Sequence, residues 1–131
     1  MKKVVDFVKS CDVYFLATTE LDQPRVRPFG TFFIYEGKIY FQTAKKKKVS
    51  KQLHTNPKIE ICAYDGKGSF IRIQATAVED ERIEAKQYAL DQFPELKSQY
   101  KADDGNTEVF YLKDATATLE APKGQGWVET F

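Results

Sequence analysis

Apolar and polar residues alternate along most of the chain, and this period-two pattern predicts a mainly antiparallel β protein. The segments that carry the pattern are rich in β-branched and aromatic residues. They cover residues 13–19, 25–35, 39–43, 59–64, 70–78, 109–112 and 115–119. Turn residues separate neighbouring segments, as at Glu36-Gly37-Lys38. The pattern therefore predicts about six strands joined in hairpin order.

Three other segments have helical spacing of their apolar residues. They are residues 1–10, 46–55 and 80–100, and Pro94 is expected to break the last of them. Strands and helices do not alternate through the chain, which argues against a parallel α/β sheet. The 131 residues have the length of one domain. We therefore predict that residues 1–131 form a single antiparallel β-barrel with added helices.

Two places depart from this regular pattern. Pro28 and Gly30 lie inside the second predicted strand, where a proline removes a ladder donor and a glycine permits a bulge or a close approach. Residues 121–131 contain two glycines and are predicted to form an irregular tail in which Trp127 packs against the last strand.

Charge and composition exclude several classes of partner. The chain has 20 Lys and Arg against 19 Asp and Glu, a formal charge of +1, so no basic excess indicates binding to nucleic acid or to a membrane surface. No apolar run is long enough for a membrane span or a signal peptide. The isolated Cys11 and Cys62 are typical of reduced thiols. We therefore predict a cytoplasmic protein.

Basic residues in two segments point to a local anion site. Arg25 and Arg27 are two apart on a predicted strand, so their side chains share a face. Thr43 ends another predicted strand and is followed by lysines at the start of a helix, where free backbone N–H groups favour an anion. A lysine run alone is more typical of a solvated helix face. Its combination with Arg27 favours a phosphate.

No catalytic or metal-ligating set is predicted from the spacing of reactive residues. His54 is the only histidine and no motif gives it a partner, so a surface or capping role is the better interpretation. Neither a Ser-His-Asp set, metal-ligand spacing nor a glycine-rich phosphate loop is present. Haem ligation is a weaker hypothesis for the same reason.

The order of these motifs resembles the pyridoxamine 5′-phosphate oxidase-like FMN-binding split barrels, most clearly over residues 13–78. The motifs are Tyr-Phe-Leu-Ala-Thr-Thr at 14–19, Gln-Pro-Arg-Val-Arg-Pro-Phe-Gly at 23–30, Tyr-Phe-Gln-Thr at 40–43, the lysine-rich turn leading through Gln52-Leu53 to Asn56-Pro57, Phe70-Ile71-Arg72-Ile73 and Ala75-Thr76-Ala77. The resemblance implies a split β-barrel of Greek-key type that binds FMN and forms a homodimer, with the partner subunit closing each flavin site.

The resemblance also implies which residues bind the cofactor. They are Arg27, Pro28, Phe29, Gly30, Gln42, Thr43, Lys47, Lys48, Lys51 and Phe70. Gly30 would let the backbone approach the flavin ring. Lys47 or Lys48 would bind the phosphate, with Lys51 as a substitute for a basic residue that the family often has where this chain has Val49. Phe70 would lie near the dimer interface.

The end of the chain bears on the reaction. Pyridoxamine phosphate oxidases carry a C-terminal Trp-Gly-Gly-x-Arg type of motif, whereas this chain ends in Gly-Gln-Gly-Trp-Val-Glu-Thr-Phe. The chain is more similar to short members of the general-stress-protein or nitroimidazole-reductase type. The resemblance thus implies an FMN-dependent oxidoreductase with a small-molecule electron donor and acceptor, NADH and NADPH being candidate donors. A flavin-binding or cofactor-sequestering protein without turnover is the alternative.

Overall fold

Eight strands form one antiparallel sheet in the computed structural model, which describes all residues from 1 to 131. The strands are β1 (Tyr14–Glu20), β2 (Gln23–Phe29), β3 (Phe33–Tyr35), β4 (Lys38–Ala44), β5 (Lys58–Tyr64), β6 (Phe70–Glu79), β7 (Thr107–Glu120) and β8 (Trp127–Thr130). The helices are α1 (Lys2–Ser10), α2 (Lys48–Thr55) and α3 (Ile83–Gln92), with 3₁₀ turns at Pro94–Ser98 and Pro122–Gly124. The predicted fold class, antiparallel β with added helices, is confirmed. None of the helices has the length and apolar character needed to cross a bilayer.

The order of the strands forces the sheet to curl into a barrel. The order is β2-β1-β5-β6-β7-β4-β3, with β8 paired to β7. β2 and β3 therefore lie at opposite edges, yet only residues 30–32 join them. A link of this length spans at most about 14 Å. The two edges must approach each other, and they leave a split in the barrel wall beside β2.

The barrel interior holds the main hydrophobic core. Burial alternates along β5 and β6, so that Ile61, Ile71 and Ile73 point inward and are fully buried. α1 packs three valines on this core, and α2 adds Val49 and Leu53. A smaller cluster on the outside of β4 and β7 is covered by α3. The three helical spacings predicted from the sequence thus reflect core contacts.

The predicted second strand, residues 25–35, divides into β2 and β3. Residues 30–32 leave the ladder because the chain must pass from one sheet edge to the other. The Tyr14 hydroxyl donates a hydrogen bond of 2.6 Å to the Thr31 carbonyl oxygen and fixes this link. The expected irregularity therefore begins at Gly30, where the chain passes to the other sheet edge, whereas Pro28 stays in register with Phe15 on the edge strand β2.

Two predictions about the end of the chain were wrong. Residues 109–112 and 115–119 belong to one strand, β7, which continues through a bulge where Asp114 has φ 52° and the register with β6 shifts. The tail also contains a strand, β8, in which Trp127 pairs with Leu119 and packs against the main core. A Cβ on Gly126 would lie 2.2 Å from the Leu119 carbonyl oxygen, so this pairing needs glycine there.

A buried carboxylate anchors the segment that leads into α3. Asp80 accepts hydrogen bonds from the Tyr40 hydroxyl at 2.8 Å and from Arg82 Nη2 at 2.8 Å. Arg82 also pairs with Glu36 at 2.7 Å. The Arg82 guanidinium lowers the pKa of Asp80 from 3.8 to about 2. The ionised form of Asp80 therefore stabilises the fold.

This pairing predicts a pH-dependent loss of stability in Asp80→Asn. The folded-state pKa of Asp80 is depressed. Its contribution to the free energy of unfolding is therefore complete above about pH 5, falls to about half near pH 3 and is lost below about pH 2. With Arg82 half exposed, we expect the variant to lose about 1 kcal/mol of unfolding free energy at pH 7. Urea unfolding at several pH values measures this difference. Asp91→Asn, which breaks an exposed pair with Lys97, is the control and should change little. A difference independent of pH would contradict the assignment.

Candidate functional site

An open cleft lies at the split of the barrel. It has a volume of about 810 Å³, within the range of cofactor sites. β2 and the link after it form one wall, α2 forms the second, and the 3₁₀ turn after α3 contributes the third. The lining residues are Glu20, Arg25, Val26, Arg27, Pro28, Phe29, Gly30, Thr31, Gln42, Lys47, Lys48, Val49, Lys51, Gln52, Phe93, Glu95 and Leu96.

Arg27 is held in the cleft wall by neutral oxygen atoms. Its Nη1 donates to the Leu16 carbonyl oxygen at 3.1 Å and to Thr18 Oγ1 at 2.8 Å, and its Nη2 donates to Gln52 Oε1 at 2.5 Å. Thr18 also donates to Gln52 Oε1. Burial, and then the nearby Arg25, lower the pKa of Arg27, but a guanidinium remains protonated in proteins. Arg27 is therefore a fixed, half-buried positive charge without a carboxylate partner.

The other basic residues of the cleft differ in their pairing. Arg25, which shares a face with Arg27 as predicted, donates to Glu20 Oε1 at 3.0 and 2.8 Å and is neutralised by it. Lys47, Lys48 and Lys51 are exposed and none of them is in an ion pair. Five basic side chains face two acidic ones in the cleft. Its electrostatic character therefore favours an anion.

The start of α2 adds backbone donors to this basic region. Lys47 occupies the N-cap position, and no side chain caps the helix there. The first N–H groups of a helix lack intrahelical partners and favour an anion. The lysines therefore border a helix N-terminus that an anion can cap.

Besides its two arginines, the β2 wall presents an apolar and unobstructed surface. Val26 is 67% exposed, and Pro28 is exposed beside it. Phe29 is half buried and packs edge-on against Phe41, with ring centroids 5.5 Å apart. A Cβ on Gly30 would meet no atom of the chain within 4 Å. The space above Gly30 is open, so a flat group can lie against the backbone there.

Eight of the ten residues predicted to bind the cofactor line this one cleft: Arg27, Pro28, Phe29, Gly30, Gln42, Lys47, Lys48 and Lys51. The structure does not bring the other two into it. Thr43 is buried on the opposite face of β4 from Gln42, and its hydroxyl has no hydrogen-bond partner. Phe70 starts β6, opposite Tyr64, outside the cleft.

The sequence profile of the pyridoxamine 5′-phosphate oxidase family matches residues 1–120. The chain belongs to this family. No curated protein matches the chain in sequence. The architecture described above is therefore a split barrel of the pyridoxamine 5′-phosphate oxidase family.

Solved structures similar to this family member support the same fold. A NimC/NimA family protein from Clostridium acetobutylicum is 43% identical, with a TM-score of 0.96 over 100% of this chain and 92% of that one. General stress protein 26 from Bacillus anthracis is 17% identical, with a TM-score of 0.74 over 99% and 98% of the two chains. A haem-binding protein from Mycobacterium smegmatis is 16% identical, with a TM-score of 0.68 over 92% and 53%. The last two similarities show the fold alone.

Sequence reasoning missed the residues that position Arg27 and close the cleft. Thr18 and Gln52 hold the guanidinium, while Phe93 and Leu96 form the wall after α3. Spacing along a strand indicates which face a side chain occupies, but not which distant segment meets it. Pro94 indicated that the chain turns after α3, but not that the turn contacts the cleft.

His54 lies in a second polar cluster, away from the cleft. Its Nε2 is 2.8 Å from Glu108 Oε2 and 3.5 Å from Glu79 Oε1. Burial, and then the neighbouring Glu108, raise the pKa of Glu79. The three residues are 25 and 29 positions apart, so their spacing gave no sign of the cluster. Glu79 and Glu108 lie at the ends of β6 and β7, just outside the predicted strands 70–78 and 109–112, so no local pattern marked them.

Proposed function

We propose that this member of the pyridoxamine 5′-phosphate oxidase family binds FMN in the cleft and is an FMN-dependent oxidoreductase. The observation that carries the proposal is the unpaired charge of Arg27, held in place by neutral acceptors at the apolar wall of β2. Even partial burial of a charge without a counter-ion is costly. A bound phosphate would compensate it.

The residues of the cleft fit both ends of FMN. Arg27, Lys47, Lys48 and Lys51 are the phosphate-binding candidates, since none of them is neutralised within the chain. The open space at Gly30 and the apolar surface of Val26 suit the isoalloxazine ring. When bound, FMN supplies hydride or electron transfer. The chain orients the ring, excludes water along β2 and holds the phosphate charge, and this role requires no acid or base side chain.

The cleft is a poorer fit for haem. Its lining residues include no His, Cys, Met or Tyr, the side chains that commonly bind haem iron. His54, the only histidine, belongs to the other cluster. The FMN proposal is therefore preferred over haem binding.

We also propose that the protein is a homodimer whose partner subunit covers the cleft. The strand register places Phe15, Val26, Pro28, Tyr64 and Phe70 on the outer face of the sheet. Phe15, Val26 and Tyr64 are 46%, 67% and 59% exposed. An exposed apolar face of this kind is typical of an interface, and it is continuous with the β2 wall. In such a dimer Phe70 would approach the partner's flavin.

A comparison of FMN with riboflavin tests the phosphate assignment. We expect the purified protein to bind FMN about 10- to 100-fold more tightly than riboflavin, because charge-assisted hydrogen bonds contribute about 1.5–3 kcal/mol. Flavin fluorescence measures both dissociation constants, and light scattering gives the mass of the FMN-bound species, expected to be that of a dimer. Equal affinities would refute the phosphate site in this cleft.

Anaerobic mixing with a reductant then separates the two functions. We expect NADH or NADPH to bleach the flavin absorbance of the FMN-bound protein, and an added acceptor to restore it. A flavin that neither donor reduces would instead favour a flavin-binding or cofactor-sequestering protein without turnover.

A further inference from the structure

The cluster of His54, Glu79 and Glu108 has the dimensions of a metal site. Each residue offers one ligand atom, and these atoms lie within 4.8 Å of one another. A tetrahedral Zn²⁺ ion lies about 2.0–2.2 Å from imidazole nitrogen and carboxylate oxygen ligands, so its ligand atoms are about 3.4 Å apart. His54 Nε2 lies 3.5 Å from Glu79 Oε1 and 2.8 Å from Glu108 Oε2, so small side-chain rotations would bring the three ligand atoms to this spacing.

Unpaired oxygen atoms at the cluster show that its hydrogen bonding is incomplete. Three buried side-chain oxygen atoms in the chain have no hydrogen-bond partner: Thr43 Oγ1, Glu79 Oε2 and Glu108 Oε1. Thr43 and Glu108 are direct partners across β4 and β7, so their side chains point to the same face. They are 1% and 0% exposed. Buried polar groups without partners are rare, and these oxygen atoms are free to accept a ligand.

The charge of the cluster is also unbalanced. Two carboxylates face one imidazole, and Glu108 is completely buried. Burying like charges together is unfavourable unless a cation compensates them. A divalent cation would neutralise both carboxylates and leave the imidazole neutral, which is the form that binds metals.

We propose that His54, Glu79 and Glu108 bind one divalent transition-metal ion of the Zn²⁺ type, with the Thr43 hydroxyl facing the same site. The imidazole favours such an ion over Mg²⁺ or Ca²⁺, which prefer oxygen ligands alone. The His54 side chain is 48% exposed and gives the ion access from solvent. The ion would link the last turn of α2 to β6 and β7. The proposal is independent of FMN binding.

Calorimetric titration of the flavin-free, tag-free protein with Zn²⁺ tests this site, whatever its oligomeric state. We expect one Zn²⁺ per chain. His54→Gln and Glu108→Gln should each weaken binding at least about tenfold, since even residues that only support a metal ligand contribute 10- to 100-fold. Glu120→Gln, a half-exposed carboxylate on the same strand, is the control and should leave the affinity unchanged. Glu79→Gln replaces Glu108→Gln if the latter does not fold.

A second readout distinguishes this site from adventitious binding at the thiols. In nitrogen-detected NMR, the His54 imidazole signal should shift on addition of Zn²⁺ in the wild type and not in Glu108→Gln. The proposal is overturned if the wild type binds no Zn²⁺ at millimolar concentration. It is equally overturned if the substitutions in the cluster leave the affinity unchanged, because the cluster would then be a hydrogen-bond network that shares a proton.

Discussion

Replacing Arg27 with methionine is expected to weaken FMN binding about 10- to 100-fold, because the variant loses a charge-assisted contact worth about 1.5–3 kcal/mol. The guanidinium is held at three points, by the Leu16 carbonyl oxygen, Thr18 and Gln52. It therefore needs no reorganisation when a phosphate binds. Methionine keeps the aliphatic stem that packs along the strand. Titration of the apoprotein by flavin fluorescence measures the effect.

Two comparisons make this result specific. Riboflavin lacks the phosphate, so Arg27→Met should change its affinity little. Arg25→Met removes a cation from the same strand face, but one already neutralised by Glu20, and FMN affinity should fall only slightly. Equal losses in the two arginine variants would indicate a diffuse electrostatic attraction rather than a phosphate contact at Arg27.

The strands and helices were largely predictable because their signals are local. Alternation along β5 and β6 reports burial of one face, and the valines of α1 have helical spacing. β8 was not predictable in this way. Its four residues form a strand because β7 is long enough to pair with them, and this contact joins segments that the sequence pattern treats separately.

The part of the cleft that was predictable from the sequence is the part formed by neighbouring residues of one edge strand. β2 is an edge strand at the split, so consecutive residues from Arg27 to Gly30 all reach the cleft. β4 lies inside the sheet, where neighbouring side chains point to opposite faces. Gln42 and Thr43 therefore cannot both face the cleft. The interpretation of the two as one wall ignored this alternation.

The position of α2 connects the cleft with the second cluster. Lys48 and Lys51 of this helix border the cleft, while His54 in its last turn contacts Glu108 on β7. The helix thus presents cations at one end and is fixed to the barrel at the other. No local pattern predicts this, because the carboxylate partners come from strands that follow much later in the chain.

Gly30→Val is expected to weaken binding of both flavins at least about fivefold while leaving the fold intact. A Cβ at this position meets no atom of the chain within 4 Å, and Gly30 does not have the positive φ that L side chains rarely adopt. We therefore expect the free energy of unfolding to change by less than about 0.5 kcal/mol. A bound ring would meet the added methyl groups, and such overpacking costs about 1–3 kcal/mol, which is at least about a fivefold loss of affinity.

The combination with Arg27→Met assigns the two ends of the ligand. Gly30→Val should lower the affinities for FMN and riboflavin equally, because both ligands carry the ring, and Gly30→Ala should lower them less. Arg27→Met should lower the affinity for FMN alone, because riboflavin has no phosphate. Urea unfolding of each variant separates a binding defect from a folding defect. If Gly30→Val bound riboflavin as the wild type does, the ring would not lie on β2, and the anion site at Arg27 would belong to a different ligand. The ring and the phosphate are thus tested by separate variants, one in the link after β2 and one in β2 itself.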